Sequence, residues 1–85
     1  MKTQNQIVQE ITVASDNNDM MKLVSIHDEL LQEDIGTVSN ALKRLLKNDT
    51  IVYDVFVNAS TLSKVDSNGL FKKIIKQSVK REMVA

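Results

Sequence analysis

The chain has 85 residues, no net formal charge, 42% apolar and 26% charged residues, and neither Cys nor Pro. That length supports one hydrophobic core, not two, and the missing Cys excludes a disulfide framework, a thiolate zinc site and a thiol nucleophile. Only 4% of residues are aromatic, so the core must be built from Ile, Leu, Val and Met.

Residues 1–6 lack the apolar stretch of a secretory signal, and no apolar run reaches the ~20 residues of a membrane span. The expectation is a single cytoplasmic domain over residues 1–85 with no membrane contact. Charge is unevenly spread. Residues 1–42 hold two cations against seven acids, whereas residues 43–85 hold nine against four. A neutral chain sorted in this way can carry a positive face, although chance alone can sort charges in a short chain.

Ile7, Val8, Ile11 and Ala14 recur at helical spacing after Thr3 or Asn5, either of which can cap a first helix. The polar cluster Asp16-Asn17-Asn18-Asp19 ends it. Residues 20–24 can open a helix or form a short strand. Ser25 favours the strand, because it is a good helix cap with an acid, Asp28, three residues on. A second helix is therefore expected from Ile26 to about Gln32, with Ile26, Leu30 and Leu31 inward and Asp28 and Glu29 in its first turn.

Asp34 caps the next helix, expected over residues 35–47, and Gly36 permits a close approach to the helix before it. Val38, Ala41, Leu42 and Leu45 share one face, and Asn48-Asp49 stops the helix. Residues 50–57 are rich in β-branched and aromatic side chains and read as a strand. Asn58-Ala59-Ser60 turns the chain, and residues 61–65 return antiparallel. Past the turn cluster Asp66-Ser67-Asn68-Gly69, the apolar residues Leu70, Phe71, Ile74, Ile75, Val79 and Met83 predict a helix over about 70–83 with a basic far side. The competing reading makes Asn68-Gly69 a hairpin turn into a strand over residues 69–75.

Three segments carry a family resemblance: Val24-Ser25-Ile26-His27-Asp28-Glu29-Leu30-Leu31, then Gly36-Thr37-Val38-Ser39-Asn40-Ala41-Leu42-Lys43-Arg44-Leu45, then Ile51-Val52. Over about residues 5–66 the chain resembles the winged helix-turn-helix superfamily of small bacterial, archaeal and phage regulators. The resemblance implies an α+β, mainly helical fold with a short three-stranded sheet and a C-terminal helix. It also implies a sequence-specific transcriptional regulator that binds double-stranded DNA, with the helix over 35–47 in the major groove and a homodimer paired through the C-terminal helix. Leu46, Asp49 and a wing with Lys64 but no Arg depart from the family pattern.

The residues suit that task. Ser39 and Asn40 lie near the start of the helix, where short polar groups can meet base edges, and Asn can bond adenine twice. Thr37 can meet phosphate through its hydroxyl or its amide, Lys43, Arg44 and Lys47 can straddle phosphates, and Lys64 can reach the backbone from the wing. The alternative is a protein-interaction module without DNA binding, which uses the same helix or the patch around Leu46 and Phe71.

No motif supports an enzyme, a cofactor or a metal. Asp28 and Glu29 are adjacent and diverge on a helix. The lone His27 is expected at the surface, and Met20 and Met21 are expected as core or interface filler.

Overall fold

The computed structural model describes residues 1–65, which form four α-helices: α1 (Gln4–Asp16), α2 (Met20–Leu30), α3 (Ile35–Asn48) and α4 (Thr50–Ser60). α1 and α4 each pack on all three other helices, whereas α2 and α3 touch each other least and flank the α1–α4 pair. The described residues contain no strand, so the expected winged helix-turn-helix with a three-stranded sheet gives way to an all-helical bundle. The helix or strand expected beyond residue 69 lies outside the described residues.

Several helix ends follow from local chemistry. Thr3 and Gln6 form a reciprocal capping box: Gln6 N–H donates to Thr3 Oγ1 at 3.1 Å, and Thr3 N–H donates to Gln6 Oε1 at 2.8 Å. α1 buries Ile7, Ile11 and Ala14 and closes in a Schellman turn. There Asp19 N–H donates to Ala14 O at 2.9 Å, Asn18 N–H donates to Ser15 O at 3.0 Å, and Asn18 takes the left-handed conformation at φ 53°. Asn is one of the few non-glycine residues that adopts this conformation readily.

α2 corrects the first expected strand. Residues 20–24 are helical, and the cap is Asp19, whose carboxylate accepts from Lys22 N–H at 3.1 Å. Ser25 is an exposed mid-helix residue. The buried stripe is Leu23, Ile26, His27 and Leu30, which is the one-face spacing of a helix. His27 belongs to the core at 1% exposure, contrary to its expected surface position. Its Nδ1–H donates to Asp28 Oδ1 at 2.9 Å, and its ring tilts against Phe56 at a centroid distance of 6.4 Å.

α3 follows the expected pattern closely. Asp34 caps it by accepting from Thr37 N–H at 3.0 Å, and Val38, Ala41, Leu42 and Leu45 are its buried face. The tight approach at Gly36 is to the cap itself: a Cβ there would meet Asp34 Oδ2 at 3.2 Å. Asp49 alone separates α3 from α4, ending one helix and capping the next by accepting from Val52 N–H at 3.3 Å.

α4 replaces the second expected strand. Val52, Tyr53, Phe56, Ala59 and Ser60 are buried while Ile51 and Asp54 are exposed, so the burial period is helical rather than alternating. The β propensity of these residues spans only ~1 kcal/mol per position. Burying a large apolar side chain is worth ~1.5–3 kcal/mol, so the helix that places Phe56 against α2 prevails. The expected turn at 58–60 continues α4. The expected return strand over 61–65 is a tightened end, in which Thr61, Leu62 and Ser63 N–H donate to the carbonyls three residues back.

Candidate functional site

α3 is the most sharply two-sided of the four helices. With its apolar stripe turned inward, helical geometry puts Gly36, Asn40, Lys43 and Lys47 along the outward row. Asn40 and Lys47 are exposed and Lys43 half-buried. No Asp or Glu occurs between Ile35 and Asn48. Among the described residues, no ion pair involves an α3 cation.

Arg44 flanks this row on the α1 side. Its Nη1 donates to Gln4 Oε1 at 3.0 Å and to Asn5 Oδ1 at 2.5 Å. Both partners are uncharged, so the guanidinium is positioned without being neutralised. Thr37 flanks the same side, but its hydroxyl and its amide both donate to Asp34 Oδ2, at 3.1 and 3.0 Å. Its role is therefore capping, and the carboxylate it holds occupies the place where a phosphate would sit. Ser39 is half-buried on the opposite flank. Lys64 is exposed but belongs to no wing. It follows Ser63, whose hydroxyl donates to Asp28 on α2 at 2.6 Å. The structure thus brings together Asn40, Lys43, Arg44 and Lys47 and leaves Lys64 on a different element.

The acids of α2 do not stand as an unscreened cluster. Asp28 and Glu29 sit at the C-terminal end of the helix, where the backbone dipole disfavours negative charge. Lys2 Nζ compensates by pairing with Glu29 at 2.6 Å and Glu10 at 3.0 Å, and Lys2 N–H donates to Glu33 at 2.6 Å. The hydrogen bond from Lys2, followed by its charge, pulls the Glu29 carboxyl below its usual range. The Glu29 contact is in turn the main reason that the Lys2 ammonium is raised. The Asp28 carboxyl is lowered chiefly by the Ser63 hydroxyl and then by His27.

A second surface escaped the sequence reading. Met20, Met21, Val24 and Leu62 line an apolar hollow where the end of α4 meets α2. Met21 and Leu62 are strongly exposed, at 86% and 59%. Leu62 is about 40 residues from Met20, Met21 and Val24 in the chain, and only the packing of the end of α4 on α2 brings these side chains together. Leu46, the proposed anchor of a protein-binding surface, instead packs in part against the core, and its companion Phe71 lies outside the described residues.

Among the described residues, fold and surface define a four-helix unit in which α3 carries an outward row of Asn and Lys. No helix among the described residues is long and apolar enough to cross a membrane. The chain matches no known protein family, no curated protein and no solved structure.

Proposed function

We propose that the protein binds double-stranded DNA by laying α3 in the major groove, with Asn40 at the base edges and Lys43, Arg44 and Lys47 on the flanking phosphates. One observation carries this: α3 presents Asn40, Lys43 and Lys47 on one outward row of an acid-free helix, beside an Arg44 held in place by neutral amides. A helix of this kind fits the groove, which is ~12 Å wide. Of the acids before α3, Asp28, Glu29 and Glu33 are tied to Ser63, His27 and Lys2, whereas Asp34 caps the helix and keeps phosphate away from its first turn. With no wing among the described residues, the affinity expected of them rests on α3, so binding is expected to be weak and strongly salt-dependent.

The test is duplex binding measured over a salt series. Each phosphate neutralised adds ~0.9 to the slope of log affinity against log salt. Replacing Lys43 and Lys47 together by Ala is therefore expected to lower that slope by ~1.8 with little change in melting temperature. Asn40→Ala is expected to relax preference at one base pair, at a cost of ~1–3 kcal/mol on the preferred sequence. Absence of binding at low salt, or an unchanged slope in the double variant, refutes the proposal.

A further inference from the structure

We propose that Gln4 and Asn5, in the first turn of α1, are positioning residues for DNA: they fix Arg44 on its phosphate while leaving its charge intact. This rests on the reading of α3 as a DNA-binding helix and extends it to a second element.

The contact divides the guanidinium in two. Nη1 carries two hydrogens, and it donates to Gln4 Oε1 at 3.0 Å and to Asn5 Oδ1 at 2.5 Å. Arg has donors only, so both amides must turn their oxygens toward it. Among the described residues, Nε–H and Nη2–H of Arg44 have no protein partner. These groups run parallel and can meet two oxygens of one phosphate at once. The amides lie 40 and 39 residues before Arg44 in the chain, so it is α1 that orients this exposed side chain of α3.

The second observation is that the partners are amides. Gln4 and Asn5 open α1, where the backbone dipole favours Asp and Glu, and a carboxylate there would also pair with Arg44. Both effects favour an acid for stability, yet the first turn of α1 holds none. The neighbouring cation is treated differently. Lys2, just before α1, is met by the carboxylates of Glu10 and Glu29. The cation on the α2 side is therefore neutralised, whereas the one on α3 is held by uncharged groups and keeps its full attraction for phosphate.

A purely structural contact would move stability and DNA affinity together; a positioning contact separates them. Duplex binding over a salt series and thermal melting are measured on the full chain. Thr3 and Gln6, which cap α1, stay untouched in every variant. Asn5→Asp is expected to melt at or above the parent temperature. It is nonetheless expected to bind about tenfold more weakly at low salt, with the slope of log affinity against log salt lower by ~0.9, as for one lost phosphate contact. Gln4→Ala combined with Asn5→Ala frees the guanidinium without neutralising it. Affinity is expected to fall ~2- to 10-fold through lost preorganisation, while the slope keeps the parent value. In an Arg44→Gln background the double Ala change is expected to cost no further affinity, because it acts through Arg44. A parent protein that binds no duplex at low salt overturns the DNA reading and this inference together. Parent binding that Asn5→Asp leaves unchanged, or a double Ala loss that persists in full without Arg44, overturns this inference alone.

Discussion

Ile51 and Val52 are neighbours of similar chemistry on opposite sides of the α4 burial boundary: Ile51 is 76% exposed and Val52 is 4% exposed. Val52→Ala removes two buried carbons, worth ~0.8 kcal/mol each, and leaves a small cavity that raises the loss to ~2 kcal/mol. Ala is a better helix former than Val, by up to ~0.7 kcal/mol, so the net cost is ~1.5 kcal/mol. Ile51→Ala forfeits little burial and keeps the propensity gain, so it is expected to be neutral or stabilising by a few tenths of a kcal/mol. In a strand the sign reverses, because Ala is a poor strand former on a scale spanning ~1 kcal/mol. Urea unfolding followed by far-UV circular dichroism reads both. At an m-value of ~1 kcal/mol/M for a small domain, Val52→Ala lowers the midpoint by ~1.5 M, and Ile51→Ala leaves it unchanged or raises it slightly. A midpoint loss in Ile51→Ala as large as that in Val52→Ala refutes a helical α4.

Three further outcomes follow from the caps and the Asp28 contacts. Folding holds the Asp28 carboxyl low, chiefly through Ser63, so this group stabilises the fold above pH ~4, the ordinary carboxylate range, and the contribution is lost as pH falls through the folded value. In Ser63→Ala the Asp28 resonance is expected to titrate closer to the ordinary Asp value, and the stability gap between parent and variant should be open at neutral pH and closed in strong acid. An unmoved Asp28 titration would remove Ser63 as the cause. Asn18 sits at φ 53°, so Asn18→Gly is expected to retain or slightly increase thermal stability, whereas Asn18→Val costs ~1–2 kcal/mol. Equal melting of the two variants would refute the left-handed assignment. Asp49→Ala, which removes the side-chain cap of α4, is expected to cost ~1 kcal/mol in chemical unfolding, recovered in part by Asp49→Ser. A silent Asp49→Ala would mean that the cap contributes nothing.

Much of α1 and α3 was legible in the chain itself. Thr3, Asp34 and the Asn48-Asp49 stop are local signals, each satisfied by hydrogen bonds within a few residues. The spacing of Val38, Ala41, Leu42 and Leu45 marks one helix face without ambiguity. The candidate site inherited that clarity: Asn40, Lys43, Arg44 and Lys47 were identifiable because they lie on the remaining faces of a well-marked helix. Thr37 was recognisable as a first-turn residue, but its two donors are committed to Asp34, which only the geometry reveals.

α2 differs from its expected form in its first five residues, its cap and the place of His27. Leu23, Ile26, His27 and Leu30 form a helical stripe, but the Ser25–Asp28 cap signal puts the expected start at Ile26 and leaves Leu23 outside it. His27 can be buried because Asp28 accepts its Nδ1–H and Phe56, from a helix 29 residues further along the chain, lies against its ring. No local pattern encodes that partnership.

By itself, the sequence determined the apolar stripe of α1, all of α3, the turn at residues 16–19 and the break at Asp49, because capping and two-faced periodicity act within a turn or two of the chain; the structure chose Thr3 over Asn5 as the α1 cap. The tertiary structure decided that residues 20–24 and 50–60 are helical and that His27 is core. Their local preferences are weak or point toward strand, and burial against distant helices outweighs them. α3, by contrast, needed only its own sequence to present a polar, basic row outward.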